Sequence, residues 1–168
     1  MPTDTAPYRR AVVALGANLG DRRATLERAV ALIGAEVGDV VARSGWIETA
    51  ALIHPDDPAT DYPAFLNGIV LASTALGPEE VLTRLHAIEA SLGRDRAAET
   101  ARWRPRAVDL DLIALDGVVV GRADLRLPHP AMHERRFVLE PMAEVWADWR
   151  HPVLGMSVAE MLAGLEKG

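Results

Sequence analysis

The chain has 168 residues, 49% of them hydrophobic, and a formal net charge of −6 at pH 7. This length predicts one domain, and the acidic balance argues against binding to nucleic acid or to anionic membranes. The absence of cysteine excludes disulfides and thiolate chemistry, and neither a signal peptide nor a membrane-spanning apolar run is present. We therefore expect a soluble, cytoplasmic single domain over residues 1–168, with a flexible N-terminus at 1–8.

The N-terminal part predicts a strand followed by a helix. The strand covers about residues 10–15 and enters the turn GANLGD, whose two glycines are too loosely spaced for a dinucleotide-binding fingerprint. Asp21 is suited to cap the helix, and Gly34 is expected to end it. The apolar positions of this helix recur at helical spacing: Leu26, Ala29, Val30 and Ile33.

Two strands and a long loop are predicted next. β-branched residues favour a strand over residues 37–47, and residues 65–73 favour another. Between them, residues 53–63 are rich in proline and acidic residues and predict a loop. Long loops in a compact domain are often functional.

A second helix begins near Pro78 and ends near Gly93, with Val81, Leu85, Ile88 and Leu92 on one face. An arginine-rich loop at 93–106 leads into a strand at 107–115. The following DG dipeptide predicts a hairpin, and RRFVLEPMAEV and SVAEMLAGL predict short helices. The order of elements predicts an α+β fold: a ferredoxin-like βαββαβ core with a mostly antiparallel sheet, and a C-terminal hairpin and helix extension.

The segment RWRPRAVDLDL at 102–112 holds the most informative residues. Strand alternation puts Asp109 and Asp111 on one face, while Leu110 and Leu112 point into the core. Two adjacent carboxylates suit a bound magnesium ion, and nearby arginines suit phosphate oxygens. The pattern therefore indicates a site for magnesium and a phosphate-bearing ligand. The same pattern is also explained if the aspartates lie on a solvent-exposed strand face and the arginines lie in a solvent-exposed loop.

Four segments occur in the order and spacing of one family: ALGANLGDR at 14–22, FLNGIV at 65–70, RWRPRAVDLDL at 102–112 and LPHPAMHERRFVLEPMAEV at 127–145. With them, the chain closely resembles 6-hydroxymethyl-7,8-dihydropterin pyrophosphokinase, an enzyme of folate biosynthesis. The resemblance implies an ATP-dependent diphosphotransferase that moves pyrophosphate from ATP to the pterin hydroxymethyl group and leaves AMP. It also implies two magnesium ions bound with ATP, a reduced pterin alcohol as the second substrate, and a monomer.

The resemblance implies a role for individual residues of this chain. Asp109 and Asp111 would hold the metals, Arg106 and Arg94 would contact the transferred phosphates, and Trp103 would close over the site. Arg96 is the alternative to Arg94. The pterin would contact Thr49, Ala51, Phe65, Asn67, Trp103 and Phe137. ATP would contact His86, Glu89, Arg94, Trp103, Arg106, Leu112, His129 and Arg135.

The chain departs from the family pattern at several positions. Arg104 stands where glycine or alanine is usual, and Ala50 and Ala51 stand where many members have prolines. These departures affect the expected loop geometry and substrate affinity.

Two other classes of function remain open. One is a different magnesium-dependent nucleotidyl or phosphoryl transferase on the same fold, because ferredoxin-like sheets support many activities. The other is a non-enzymatic ferredoxin-like module, for example one that binds RNA. Such a module would be expected to carry exposed aromatic residues and a basic sheet face. The acidic chain and its two strand aspartates argue against that module.

Overall fold

A computed structural model of the chain describes residues 7–50, 63–93 and 108–167. Most of the two predicted long loops lies outside this described part. So do the predicted site and loop residues Ala51, Arg94, Arg96, Trp103, Arg104 and Arg106.

The described residues form seven β-strands and four α-helices. The strands are β1 (Arg9–Ala17), β2 (Asp39–Arg43), β3 (Ile47–Thr49), β4 (Phe65–Thr74), β5 (Asp109–Leu115), β6 (Val120–Gly121) and β7 (Arg126–Leu127). The helices are α1 (Arg22–Glu36), α2 (Pro78–Ser91), α3 (Arg136–Trp146) and α4 (Val158–Glu166).

The main sheet has the antiparallel order β2-β4-β1-β5, and β3 pairs with β4 beside β2. With β2 and β3 taken as one interrupted strand, this is the order of a βαββαβ ferredoxin-like core. The predicted α+β class is confirmed. β6 and β7 form a separate hairpin, and α3 and α4 follow it as the predicted C-terminal extension.

Two apolar layers cover the two faces of the sheet. On one face, α1 and α2 bury side chains that include Leu26, Ile33, Leu85, Ile88, Leu110 and Leu112. On the other face, α3 and α4 bury side chains that include Ile69, Leu71, Ile113, Leu139, Met142 and Met161. Alternation along β1, β4 and β5 supplies both layers, since successive side chains point to opposite faces.

The helices begin where the sequence predicts. The Asp21 side chain accepts a hydrogen bond of 3.1 Å from the Ala24 backbone N–H, which caps α1. Pro78 occupies the first turn of α2, and Ser157 with Glu160 forms a capping box at α4. The caps of α1 and α4 satisfy backbone donors that have no partner inside a helix, whereas Pro78 has no backbone N–H to satisfy.

The predicted end of α1 at Gly34 is wrong, because the helix continues to Glu36. Val37 then follows as a buried core residue. The glycine that matters is Gly38, since a β-carbon there would collide with the backbone oxygen of Ser73 on β4. Burial of Val37 therefore favours continuation of the helix past Gly34. The close approach of the Ser73 backbone at Gly38 limits how far it extends.

The single strand predicted over 37–47 is divided in the structure. β2 ends at Arg43 and β3 begins at Ile47, and both pair with β4. Between them, the Ser44 hydroxyl accepts a 2.9 Å hydrogen bond from the Ile69 N–H. The Ile69 N–H thus bonds to a side chain instead of to a backbone carbonyl of the neighbouring strand. The pairing with β4 is interrupted at this point, between β2 and β3.

The hairpin predicted after β5 is also different from the observed one. Asp116 and Gly117 do form a turn, with Gly117 at a φ of 75°. However, β6 pairs with β7 rather than returning along β5. The outer edge of β5 already has partners, because Glu89 accepts from the Leu110 N–H and the Ile113 carbonyl accepts from the His129 N–H.

Candidate active site

One row of residues crosses the sheet and joins the predicted metal and pterin positions. Gly16 on β1 pairs with Asp109 on β5 and with Asn67 on β4. Paired residues of antiparallel strands point to the same face, so Asp109 and Asn67 lie on one face, with Gly16 between them. This is the face that α3 and α4 cover farther along the strands.

Asn67 is buried, and a neighbour on β3 determines its orientation. Its Nδ2 donates a 2.6 Å hydrogen bond to the Oγ1 of Thr49. Its Oδ1 lies over Gly16, where a β-carbon would come within 2.9 Å of it. Phe65 is half-buried, and its ring edge would lie 3.6 Å from the same β-carbon. Thr49, Phe65 and Asn67 therefore form one cluster around Gly16.

The two predicted metal ligands occupy one side of β5. Asp109 and Asp111 are half-buried, whereas Leu110 and Leu112 are buried in the opposite layer, as alternation predicts. No set of three or more side chains suited to hold a metal ion occurs among the described residues. Two hard carboxylates fit magnesium, which takes one or two protein carboxylates and completes its shell with water and phosphate oxygens.

His129 lies beside these acids, after the cis Leu127–Pro128 peptide bond. Its backbone N–H donates to the Ile113 carbonyl of β5 at 2.7 Å, and its Nδ1 accepts from the Ala131 N–H at 3.2 Å. The neutral ring therefore carries its proton on Nε2. Burial lowers the pKa of His129, the charge of Arg135 lowers it further, and the charge of Asp109 opposes the shift. The ring is accordingly a neutral N–H donor near pH 7.

Arg135 and Phe137 bring the start of α3 to the site. The Arg135 guanidinium lies 5.6 Å from the centre of the Phe137 ring, a cation–π contact. Phe137 is 36% exposed, which leaves part of its ring available to a ligand. α3 packs on β4 and contacts β3, so Phe137 lies on a helix that covers the same sheet face as Asn67.

The predicted residues on α2 and the core-facing residue of β5 lie on the other side. Glu89 is 1% exposed, and its Oε2 accepts from the Leu110 N–H at 2.9 Å. Leu112 is buried in the layer beneath α1 and α2, and His86 is exposed on α2. The structure therefore does not bring Glu89, Leu112 and His86 to the face that carries the two aspartates.

Sequence reasoning missed Gly16 as a site residue, since it treated the GANLGD segment as a structural turn. The predicted strand ended at residue 15, whereas β1 continues to Ala17 and includes Gly16. A glycine within a strand often marks a close approach of another group. It also missed Asn18 and Arg22, whose side chains contact residues more than 40 positions away. A single sequence contains no signal for such long-range hydrogen bonds.

Comparison with known proteins adds independent information. The family model of 7,8-dihydro-6-hydroxymethylpterin-pyrophosphokinase (HPPK) matches residues 12–147. A 2-amino-4-hydroxy-6-hydroxymethyldihydropteridine pyrophosphokinase from Methylorubrum extorquens is 41% identical over 158 residues, covering 94% of this chain and 94% of its own. A protein of the same name from Synechocystis is 37% identical, covering 90% of this chain and 74% of its own.

Solved structures agree with the fold. Plasmodium falciparum HPPK-DHPS superposes with a TM-score of 0.72 at 13% identity, over 96% of this chain and 44% of that chain. This chain thus spans less than half of that solved chain, and at such low identity the superposition speaks for the fold alone. The family model and the two relatives, by contrast, cover most of the sequence. The chain belongs to the 7,8-dihydro-6-hydroxymethylpterin-pyrophosphokinase family.

Proposed function

We propose that this protein transfers pyrophosphate from ATP to the hydroxymethyl group of 6-hydroxymethyl-7,8-dihydropterin, giving AMP and the pterin diphosphate, a step of folate biosynthesis. Membership of the pyrophosphokinase family supports the reaction. The observation that carries the site assignment is the row Asn67–Gly16–Asp109, which joins an amide cluster to the paired carboxylates on one face of the sheet.

The pterin is proposed to bind at the Asn67 end of this row. An amide can donate to one edge group of a pterin and accept from another. Its hydrogen bond with Thr49 keeps one orientation of that amide. Phe65 and Phe137 are the flat apolar surfaces for the two faces of the heterocycle, and Ala51 is proposed to complete the pocket.

The triphosphate is proposed to bind at the aspartate end of the row. Asp109 and Asp111 would hold magnesium, which when bound neutralises phosphate charge and lowers the proton affinity of the attacking hydroxyl. His129 is proposed to donate to a phosphate oxygen from Nε2, because its Nδ1 is an acceptor, and Arg135 adds a permanent positive charge beside it. Arg106, and Arg94 or Arg96, are proposed to contact the phosphates.

ATP is proposed to extend over the outer edge of β5, past the contacts that Glu89 and His129 make there. Asp109 and His129 lie on one side of that strand, and α2 lies on the other. A nucleotide that crosses the edge reaches His86 and Glu89 on α2. Because the Leu112 side chain is buried, its proposed contact with ATP is made by its backbone. Trp103 is proposed to close over both substrates and to exclude water.

The proposal extends to a single domain over 1–168 that acts as a cytoplasmic monomer with two magnesium ions. No helix in the described part of the chain is long and apolar enough to cross a membrane. Light scattering on the purified protein tests the monomer, and magnesium titration of ATP-analogue binding tests the number of ions.

The central experiment measures AMP release from ATP and 6-hydroxymethyl-7,8-dihydropterin, with magnesium and with EDTA. We expect AMP that requires both pterin and magnesium, and its loss in Asp109→Asn and Asp111→Asn. Asp148→Asn, an exposed acid after α3, is the matched control. If magnesium-dependent ATP binding persists but pterin causes no AMP release, the pterin assignment is wrong.

A further inference from the structure

Arg22, the first residue of α1, joins two segments that are distant in sequence. Its Nη2 donates to Oε1 of Glu48 at 2.6 Å, and its Nη1 donates to the backbone carbonyl of Ala64 at 2.8 Å. Glu48 lies within β3, and Ala64 immediately precedes β4. One guanidinium therefore holds the ends of two neighbouring strands.

These strand ends carry proposed pterin contacts. Glu48 directly precedes Thr49, and Ala64 directly precedes Phe65. Thr49 and Phe65 form the terminal pair of the β3–β4 ladder. Terminal pairs of a ladder separate most readily, because nothing beyond them maintains the pairing. Arg22 bonds Glu48 and Ala64, the residues next to this pair, and therefore restricts the separation of Thr49 from Phe65.

A second side chain of the same β1–α1 turn acts alongside Arg22. Asn18 is 1% exposed, and its Nδ2 donates to the Pro63 carbonyl at 3.2 Å. Two consecutive carbonyls, those of Pro63 and Ala64, thus receive donors from the β1–α1 turn and from the first residue of α1. Both precede β4, so the ladder does not supply partners for them.

Arg22 lies on the far side of the sheet from the pterin cluster. It lines a cavity of about 480 Å³ together with Trp46, Glu48 and Leu66. Leu66 is buried in the layer of α1 and α2, whereas its neighbours Phe65 and Asn67 point to the opposite face. Because open space adjoins the guanidinium, no packed side chain would replace its two hydrogen bonds.

We propose that Arg22 is a positioning residue for the pterin: by joining Glu48 to the Ala64 carbonyl, it fixes the Thr49–Phe65 pair in the geometry that the heterocycle needs. This inference rests on the proposed function. Arg22 does not touch the pterin and acts through the strand ends. Its role is distinct from fold stability, because an ion pair to the largely exposed Glu48 contributes little to unfolding.

The chain offers a closely matched control. Nη1 of Arg84 on α2 also donates to a carbonyl and a carboxylate, those of Glu36, at 3.3 and 3.2 Å. Arg84→Ala therefore removes the same kind of contact at the other end of α1. An effect on pterin binding that occurs in Arg22→Ala but not in Arg84→Ala is then due to the position of Arg22 beside the Thr49–Phe65 pair.

The experiment measures the binding of 6-hydroxymethylpterin in the presence of magnesium and a non-hydrolysable ATP analogue. Since displaced contacts and lost preorganisation weaken binding strongly, we expect Arg22→Ala to raise the pterin Kd about tenfold. The Kd of the ATP analogue and the urea midpoint should stay close to wild type. Arg84→Ala should change neither Kd. In steady state, the KM for pterin should rise more than kcat falls.

Two further variants separate the contacts. Arg22→Lys keeps the positive charge but replaces the guanidinium, which donates to two acceptors, with a single ammonium group. It should therefore restore only part of the pterin affinity. Glu48→Gln keeps the bond to Ala64 and should weaken binding less than Arg22→Ala. Equal pterin affinity in Arg22→Ala and wild type would overturn the inference and leave the proposed function intact. Equal losses of pterin and ATP affinity with a lower urea midpoint would also overturn it. A wild-type protein that binds ATP but no pterin would overturn both.

Discussion

Nδ2 of Asn67 donates to Oγ1 of Thr49 over a distance of 2.6 Å, and the two residues are diagonal neighbours across β3 and β4. Their direct partners are Ile47 and Phe65. The hydrogen bond turns the amide nitrogen toward Thr49 and leaves the oxygen over Gly16. An amide that rotated by half a turn would exchange donor and acceptor, so this one contact determines which amide atom faces the proposed pterin site.

Thr49→Val should weaken pterin binding with little effect on folding. Valine keeps the shape of threonine but cannot accept the Asn67 hydrogen bond, so the amide loses its fixed orientation. Loss of one such hydrogen bond corresponds to about a fivefold to tenfold rise in pterin Kd. Calorimetric titration with 6-hydroxymethylpterin measures it. Thr83→Val, which removes a hydroxyl bonded to a helix carbonyl, is the control. Unchanged pterin affinity in Thr49→Val would contradict the assigned amide orientation.

Gly16→Ala should disrupt the site from within β1. The added β-carbon would lie 2.9 Å from Oδ1 of Asn67, closer than such contacts allow. Because Asn67 is buried, it has little room to move, and we expect a loss of about 1–3 kcal/mol in the free energy of unfolding. Pterin binding should fall with it. Gly121→Ala meets nothing within 4 Å and should change neither quantity. Urea unfolding and pterin titration of both variants provide the comparison.

Glu89 should matter to stability through its acceptor oxygen. Glu89→Ala leaves the Leu110 N–H buried without its 2.9 Å acceptor, which costs about 1–3 kcal/mol. Glu89→Gln retains a carbonyl oxygen at that place and should lose less. Urea unfolding of the two variants tests the difference. ATP-analogue binding, measured separately, tests the proposed nucleotide contact. Equal destabilisation by both variants would show that the acceptor oxygen is not what stabilises β5.

The stability of the protein should decrease in mild acid, partly because of His151. Its Nδ1 accepts from the Val153 and Leu154 N–H groups at 3.2 and 3.1 Å, which requires an unprotonated Nδ1. Burial, and secondly the charge of His133, lower the pKa of His151. The folded state therefore binds fewer protons than the unfolded state. The stabilisation is complete above the ordinary value of about 6.5 and is lost as pH falls through the lower folded pKa.

The urea midpoint measured over a pH series tests this linkage. We expect His151→Asn to have a shallower decline below about pH 6.5 than wild type. The decline should not vanish, because burial also lowers the pKa of His129. Identical pH profiles for the variant and wild type would show that His151 does not contribute.

Period-two alternation predicted which face of β5 carries each side chain of residues 109–112. It was sufficient to place Asp109 and Asp111 together and to direct Leu110 into the core, because both results follow from local geometry. The helices that begin at Pro78 and after Ser157 were predictable for a similar reason, since their start signals lie within a few residues.

Features that depend on distant partners were not predictable. The end of α1 depends on Val37 and on the approach of Gly38 to Ser73, and Gly34 alone gave a misleading signal. The partner of β6 depends on which groups occupy the outer edge of β5. The role of Gly16 depends on a side chain two strands away from Asp109.

The central position of β1 has a consequence for the distance over which a group is transferred. Asn67 and Asp109 are each paired with Gly16, so two interstrand spacings separate them, roughly 10 Å in total. In the proposed site, the hydrogen-bonded sheet therefore fixes the distance between the amide that would bind the pterin and the carboxylates that would hold magnesium. Substitutions in the loops that join these strands would leave this span unchanged, because the pairing of Gly16 with both neighbouring strands sets it.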